Sequence, residues 1–149
     1  MSKAEEGAGA GPQNPGLSAV PAHFQSFVAF DFGAKRTGCA VGTRLLLTAN
    51  PLPTLRAEGA QERLDLAAQR IREWQPDALV IGVPYHPDGA EHENTARARK
   101  FGRQLKGRFG LPVYEVDERY STTEALAGGA RDADAASACI ILEQFLRSL

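Results

Sequence analysis

The hydrophobic pattern of the chain changes period partway along its length, and this change predicts the order of the elements. Three short stretches of small and apolar residues come first: "SFVAFDFG" from Ser26, "RTGCAVGT" from Arg36 and "RLLLTANPLPTL" from Arg44. Such stretches are typical of β-strands, and three in succession predict an antiparallel meander. Pro51 and Pro53 have no backbone N–H to donate to a neighbouring strand, as a central strand must on both sides. They therefore predict that the third strand lies at an edge of the sheet.

The rest of the chain alternates helical and strand patterns. Apolar residues three and four positions apart predict a first helix that ends before Pro76. The residues of this stripe are Leu64, Ala67, Ala68, Ile71 and Trp74. The apolar run "DALVIGVP" predicts a buried parallel strand. A second helix is predicted from about Glu91 to Phe109 and ends at Gly110.

The C-terminal part adds one more strand and one more helix. "LPVYEVDE" predicts the last strand, and "DADAASACIILEQFLRSL" predicts a closing helix. One side of that helix is predicted to carry Ala136, Cys139, Ile140 and Glu143. The resulting order, β-β-β-α-β-α-β-α, predicts an α/β protein with a mixed five-stranded sheet flanked by helices. This is the element order of the ribonuclease-H-like fold.

Composition and length predict one globular domain behind a disordered tail. The chain has 149 residues, of which 43% are hydrophobic and 23% are charged, as in an ordinary single-domain protein. Residues 1–24 are rich in Gly, Ala and Pro, and they bury too little apolar surface to offset the entropy of ordering. We therefore expect a disordered tail at 1–24 and one domain at 25–149.

Charge, cysteines and hydropathy narrow the class of protein. The net charge is −1, so no global basic field points to nucleic acid. No apolar stretch approaches the roughly 20 residues of a membrane span, and no signal peptide is evident, which predicts a cytoplasmic protein without membrane contact. Cys39 and Cys139 are expected to be buried, reduced thiols, and a disulfide or a zinc site is the alternative.

Three acidic residues stand at predicted structural ends. Asp31 ends the first strand, Glu118 ends the last strand, and Asp134 opens the final helix. Strand ends of an α/β sheet gather at one edge, where ligands bind. Crowded carboxylates repel unless a cation lies among them, and hard oxygen ligands select Mg²⁺ or Mn²⁺. Taken singly, each acid is also explained as a turn or helix-cap residue.

Four blocks of sequence resemble one family. "FDFGAKRTGCAVG", "VIGVPYHPDGAEHENTARARKF", "VYEVDERYSTTEA" and "DAASACIILEQFL" are similar, in this order, to the YqgF family. The resemblance runs from about Phe27 to Leu146. Members of that family are described as pre-16S rRNA nucleases or Holliday junction resolvases and are similar in fold to the RuvC resolvases. The resemblance implies a metal-dependent nuclease of ribosome biogenesis in which Asp31, Glu118 and Asp134 are the catalytic, metal-binding residues.

Basic residues near these acids are candidates for substrate binding. Lys35 and Arg36 follow Asp31 in a turn, and Arg119 follows Glu118. Arg97 begins a basic run on the second helix, whose other members are Arg99, Lys100, Arg103, Lys106 and Arg108. Such cations can hold phosphate oxygens, although a solvated helix face is the plainer explanation of the run. One departure from the family is the short segment before Asp134, where Asp132 is a fallback ligand.

Several functions remain open at this point. The first is hydrolysis of phosphodiester bonds in structured RNA at the 5′ end of pre-16S rRNA, by endo- or exonucleolytic cleavage. The second is a Holliday junction resolvase-type nuclease acting on branched DNA, which needs a symmetric dimer, whereas the first allows a monomer or a homodimer. A non-catalytic nucleic-acid-binding module and an ATP-binding domain of the same fold are further alternatives.

Overall fold

The computed structural model describes residues 20–118 and 133–149 of the chain. Its five strands are β1 (Ser26–Asp31), β2 (Arg36–Thr43), β3 (Ala49–Arg56), β4 (Ala78–Pro84) and β5 (Val113–Glu118). The three helices of the described residues are α1 (Ala60–Trp74), α2 (Thr95–Phe109) and α3 (Ala133–Arg147). The predicted element order is confirmed.

The strands form one mixed sheet in the spatial order β3-β2-β1-β4-β5. The first three strands pair antiparallel, as a meander does. β4 runs parallel to both β1 and β5, because a helix separates it from the preceding and the following strand along the chain. β3, which contains Pro51 and Pro53, lies at one edge as predicted. The predicted mixed five-stranded α/β architecture is therefore confirmed.

Helices cover both faces of the sheet. Phe27 and Ala29 of β1 face α3, and the Phe27 ring lies 5.1 Å from the Phe145 ring. Val28 and Phe30, which point the other way, pack under α1 and α2. All four β1 side chains are fully buried, which explains why the strand is apolar throughout instead of alternating.

Two element boundaries differ from the prediction. The third strand begins at Ala49, because residues 44–46 form a turn that the Leu47 N–H closes by donating to the Thr43 carbonyl oxygen at 3.0 Å. The leucines of this turn are exposed, so their apolar character does not report a strand. The second helix begins at Thr95 rather than at Glu91, because the preceding residues form a separate loop.

The side of α3 that packs in the core is not the side described from the sequence. The core residues of this helix are Ala135, Ser137, Ala138, Ile141, Leu142, Phe145 and Leu146. The predicted side, which included Cys139 and Ile140, is only half-buried. Both sides carry apolar residues at helical spacing, so the local pattern cannot choose between them. Contact with the sheet decides which side is buried.

Residues 20–24, which the sequence assigned to the tail, lie against the domain. Val20 and Phe24 pack on the core under α3. Arg44 donates hydrogen bonds to the carbonyl oxygens of Phe24 at 2.8 Å and Pro21 at 2.9 Å. The Asp77 carboxylate accepts hydrogen bonds from the backbone N–H groups of Gln25 at 2.7 Å and Ser26 at 3.0 Å. The remainder of the predicted tail lies outside the described residues.

Both cysteines are free thiols, as expected. Cys39 is buried and Cys139 is half-buried, and burial raises the pKa of the first to about 12 and of the second to about 11. Within residues 20–118 and 133–149, no helix has the length and apolar character needed to cross a membrane.

A close approach between β2 and α3 depends on Gly38. A Cβ atom at this position would lie 1.9 Å from the backbone oxygen of Asp134. Real Cβ atoms do not come this close to an oxygen, so only glycine allows the first turn of α3 to rest on β2. The position of Asp134 in the fold therefore depends on glycine at position 38 of β2.

Gly38→Ala is expected to lower the free energy of unfolding by about 1–3 kcal/mol, because α3 or β2 must shift to admit the methyl group. Gly107 provides the matched control, since it lies in α2 and a Cβ atom there would meet no other atom within 4 Å. Gly107→Ala is expected to stabilise the protein by about 0.5–1 kcal/mol through helix propensity. Urea unfolding measures both values. Equal effects of the two substitutions would contradict the role given to Gly38.

Candidate active site

The carboxyl ends of three parallel strands bring two of the predicted acids together. Asp31 is the last residue of β1 and Glu118 is the last residue of β5, with β4 between them. Asp31 pairs with Gly82 of β4, and Glu118 pairs with Pro84. Positions 82 and 84 share one face of the sheet, so Asp31 and Glu118 project from the same face. This is the face that α3 covers.

Space for the two carboxyl groups comes from Gly82. A Cβ atom on this glycine would lie 3.0 Å from Glu118 Oε1 and 2.4 Å from Ile141 Cδ1. Any side chain here would therefore displace both the carboxylate and a core residue of α3. On the other side of Asp31, its partner in β2 is Gly38. Asp31 thus stands between two positions without side chains.

The electrostatics of Asp31 reflect its neighbours. Desolvation raises the pKa of its carboxyl well above the ordinary value of 3.8, and the negative charge of Glu118 raises the pKa further. In its protonated form Asp31 donates a hydrogen bond to Glu118, and the charge of Asp134 acts in the same direction. Glu118 is only 7% exposed. Asp31 and Glu118 are called the acid pair below.

Asp134 lies beside the acid pair but has a different partner. It stands in the first turn of α3, and its carboxylate forms an ion pair with Arg36 Nε at 3.2 Å. In the part of the chain that the structure describes, no three His, Cys, Asp or Glu side chains are arranged to hold a metal ion. The structure therefore brings Asp31 and Glu118 into contact, and the three-acid metal site stays a prediction.

The chemistry of the acid pair suits a hard divalent cation. Two carboxylates in contact repel each other unless a proton or a cation lies between them. Carboxylate oxygens are the ligands that Mg²⁺ and Mn²⁺ prefer. The pKa of Asp31 is raised by desolvation and by the nearby charge of Glu118, as this repulsion requires. The residues present therefore fit a divalent cation in their chemistry.

Two clefts open beside these acids. The acid cleft, of about 300 Å³, is lined by Asp31, Phe32, Pro84, Tyr85, His92, Asn94 and Glu118. The turn cleft, of about 400 Å³, is lined by Gly33, Ala34, Lys35, Arg36 and Asp134. Together the two clefts contain all three predicted acids and two of the predicted cations.

The predicted substrate-binding residues have different surroundings. Lys35 and Arg36 are exposed in the turn between β1 and β2, where both line the turn cleft. Arg97 is exposed at the start of α2 and donates a hydrogen bond to Asn94 Oδ1 at 3.3 Å. Arg119 lies outside the described residues, as do Asp132 and most of the short segment before Asp134.

Part of the basic run on α2 is neutralised within the protein. Arg99 forms ion pairs with Glu115 at 3.5 Å and Glu91 at 4.0 Å. Arg108 pairs with Asp65 at 2.9 Å. The run itself contains no acid, and its partners come from the loop before α2, from β5 and from α1. The positive charge available to a ligand is therefore smaller than the run suggests.

Arg63 supports the turn between β1 and β2, a role that the sequence analysis missed. This α1 residue is only 6% exposed. Its Nη2 donates to the Ala34 carbonyl oxygen at 2.6 Å, and its guanidinium lies 4.9 Å from the centre of the Phe32 ring. Its position four residues before Ala67, on the apolar stripe, is the signal that could have identified it.

The loop at 85–94 contributes residues that the sequence analysis did not single out. His92 of this loop lines the acid cleft with Tyr85 and Asn94. Only the folding of the loop back over the strand ends brings these residues to the acids. No periodicity in the sequence reports such a contact.

The chain is similar to known proteins in both sequence and fold. The chain matches the family described as "RuvX: Holliday junction resolvase" over residues 25–148. The chain belongs to this family. A relative from Polaromonas sp. (strain JS666), named "Putative pre-16S rRNA nuclease", is 69% identical over 136 residues, covering 89% of this chain and 98% of the relative. A relative of the same name from Albidiferax ferrireducens is 68% identical over 130 residues, covering 87% and 83%.

These matches confirm the resemblance to the YqgF family, and their names agree with the nuclease class predicted from the sequence. Two solved structures share the fold at low identity. RuvC of T. thermophilus in complex with a Holliday junction is 18% identical, with a TM-score of 0.53 over 83% of this chain and 94% of that one. The fowlpox virus resolvase bound to Holliday junction DNA is 9% identical, with a TM-score of 0.53 over 83% and 97%. The predicted ribonuclease-H-like fold is confirmed.

Asp31→Asn is expected to stabilise the protein at pH 7 without divalent cations, because it removes a carboxylate whose folded pKa is raised. Protonated Asp31 contributes stability to the folded state. This contribution is fully present below pH 3.8 and is lost as the pH rises through the raised pKa of the folded protein. The advantage of the variant should therefore grow from pH 4 towards pH 8. Urea unfolding in EDTA across this range measures it.

Asp77→Asn is the contrasting control. Hydrogen bonds from the Ser26 and Gln25 N–H groups lower the pKa of Asp77 below 3.8, so its contribution is present above that pH and lost below it. This variant should be less stable than the wild type by an amount that stays constant between pH 5 and 8. A pH-independent effect of Asp31→Asn would contradict the electrostatics of the acid pair.

Proposed function

We propose that this chain is a divalent-metal-dependent nuclease that hydrolyses phosphodiester bonds in the 5′ region of pre-16S rRNA. The observation that carries the proposal is the contact between the Asp31 and Glu118 carboxyl groups at the ends of parallel strands, beside two clefts. Carboxyl groups held in repulsive contact are costly for a fold, and a cation-binding site is the function that such a cost serves. Relatives that are 69% and 68% identical support RNA as the substrate through their names.

The cation is proposed to be Mg²⁺ or Mn²⁺. Asp31 and Glu118 would hold it, and Asp134 would join them after its carboxylate leaves Arg36. When bound, the cation supplies positive charge that stabilises the charge developing on phosphate oxygens. Glycine at 38 lets the backbone of Asp134 approach β2 next to Asp31, and glycine at 82 makes room for the Glu118 carboxylate.

Lys35 and Arg36 are proposed to bind the phosphate backbone of the substrate. Both are exposed in the turn cleft next to Asp134. A guanidinium can hold two phosphate oxygens at once, and an ammonium acts as a point charge. Arg63 fixes the backbone of their turn through Ala34, so the two cations project from a supported segment. Arg97 and Arg119 are proposed to extend this contact.

Cleavage of branched DNA is the second candidate, supported by the family description and by the two fold neighbours solved with Holliday junctions. Resolution of a junction needs two cuts related by symmetry and therefore a homodimer, whereas end processing of RNA can be done by a monomer. We propose RNA processing in the cytoplasm as the main activity, as part of ribosome biogenesis.

Added Mg²⁺ or Mn²⁺ is expected to raise the midpoint of thermal unfolding of the wild type, because a ligand that binds only the folded state stabilises it. At 100 times the dissociation constant the gain is about 2.7 kcal/mol. Asp31→Asn should show little of this gain. Differential scanning calorimetry with and without EDTA measures the effect. A cation effect that is the same in wild type and variant would contradict binding at the acid pair.

Cleavage assays test the activity itself. Wild type is incubated with Mg²⁺ or Mn²⁺ and with structured RNA, single-stranded RNA or a four-way DNA junction. Asp31→Asn and Glu118→Gln are expected to reduce cleavage by more than about 100-fold, because each removes a cation ligand. The product on each substrate identifies RNA processing or junction resolution.

Asp117→Asn is the matched control for Glu118→Gln. Asp117 neighbours Glu118 in β5, is exposed, and points to the opposite face of the sheet. It should keep wild-type activity. Binding of nucleic acid without any cleavage would favour the non-catalytic module instead.

A further inference from the structure

The loop at 85–94 contributes Tyr85, His92 and Asn94 to the lining of the acid cleft, which also includes the acid pair. A short antiparallel bridge joins Tyr85 to Glu91, and the His86 N–H donates to the Ala90 carbonyl oxygen at 2.9 Å. The tip of the loop is closed by Asp88, whose Oδ1 accepts the Ala90 N–H at 2.9 Å. The segment is therefore a hairpin with its own hydrogen bonds, and its side chains have defined positions.

Thr95 fastens this hairpin to the domain. Its side chain is fully buried at the start of α2. The Thr95 hydroxyl donates to the carbonyl oxygen of Pro84, at the end of β4. The same hydroxyl accepts the His92 N–H at 2.7 Å, and the Thr95 N–H donates to the His92 carbonyl oxygen at 3.0 Å. Both backbone polar groups of His92 are thus bound, and His92 is held at a fixed distance from the strand end next to Glu118.

The imidazole of His92 has a defined tautomer. Its Nδ1 accepts a hydrogen bond from the Asn94 N–H at 3.1 Å, so in the neutral ring the proton is on Nε2. The ring also packs against His86, with centroids 5.0 Å apart. Among the described residues, no protein acceptor takes the Nε2–H of His92. This N–H is therefore a positioned donor on a ring that lines the acid cleft.

Asn94 adds a second donor to the same lining. Its Oδ1 accepts the hydrogen bond from Arg97, which leaves the Nδ2 hydrogens for a ligand. The lining of the cleft thus combines carboxyl groups with N–H donors. A ligand that suits this lining carries negatively charged oxygens. These oxygens can accept a hydrogen bond from His92 and can also contact a cation held by the acid pair. A phosphate group has these properties.

We propose that the Nε2–H of His92 donates a hydrogen bond to a phosphate oxygen of the nucleic-acid strand in the acid cleft. His92 is then a substrate-binding residue of this chain, and Asn94 assists it. The inference rests on the proposed function for the kind of ligand. The cleft volume of about 300 Å³ is at the small end of ligand sites, which suits one phosphate with its sugar.

Two substitutions separate the structural role of His92 from its contact with substrate. His92→Asn keeps an acceptor for the Asn94 N–H, because Asn side chains accept from the backbone two residues on, but it removes the Nε2 donor. His92→Gln keeps a donor near the Nε2 position and loses the well-placed acceptor. Each variant is made in the Asp31→Asn background, so that dissociation constants are measured without cleavage. His23→Asn, which is remote from both clefts, is the control.

Fluorescence anisotropy with single-stranded RNA and with a four-way DNA junction gives the dissociation constants. His92→Asn is expected to weaken binding to both by about 10- to 100-fold, because a hydrogen bond to a charged group is lost. Its thermal midpoint should equal that of the parent. His92→Gln should bind within about threefold of the parent while unfolding at a lower temperature. His23→Asn should change neither value.

Three outcomes would overturn the inference. One is His92→Asn binding as tightly as its parent, and another is affinity that follows thermal stability across the variants. A loss confined to RNA would show contact with the 2′-hydroxyl instead of a phosphate. Wild-type cleavage is measured in parallel. Binding that depends on His92 without wild-type cleavage would refute the proposed nuclease and leave this contact standing, whereas absence of all binding would refute both.

Discussion

Two carboxyl groups in contact, one on β1 and one on β5, are the constraint around which this end of the molecule is arranged. The pair exists because β4 lies between the strands and carries Gly82 where a side chain would otherwise separate them. α3 covers the same face, and its first turn approaches β2 only because residue 38 is also glycine. The cost of the contact is visible in the raised pKa of Asp31. The stability needed to bear this cost comes from the two apolar layers on either side of the sheet.

The two clefts beside the acid pair are also lined by residues that carry N–H groups or cations. Lys35 and Arg36 line the turn cleft, and His92 and Asn94 line the acid cleft. A buried polar residue supports each of these segments. Arg63 binds the turn between β1 and β2, and Thr95 binds the hairpin at 85–94. A rigid support of this kind reduces the ordering that a bound strand would otherwise require.

The sequence predicted most of the fold because β1, β4 and the helices have strong periodic or fully apolar patterns. It also predicted that Asp31 and Glu118 would meet, since both end strands that run in the same direction. It could not predict the ion pair between Arg36 and Asp134, the buried side of α3, or the place of His92. Each of these depends on contacts between elements distant in the chain, which local periodicity does not encode. Ion pairs from Glu115 and Asp65 likewise reduced a basic run that looked free of acids.

The prolines of β3 bear on how this domain can associate with others. Pro51 and Pro53 are exposed and two positions apart, so they share one side of the strand. Neither has an N–H, and Arg70 of α1 occupies the carbonyl oxygen of Pro53 at 3.3 Å. An incoming strand would find two donors missing and one acceptor taken. The edge of the meander is thus protected against pairing with an incoming strand, so extension of the sheet is not expected to join two copies of this chain at β3.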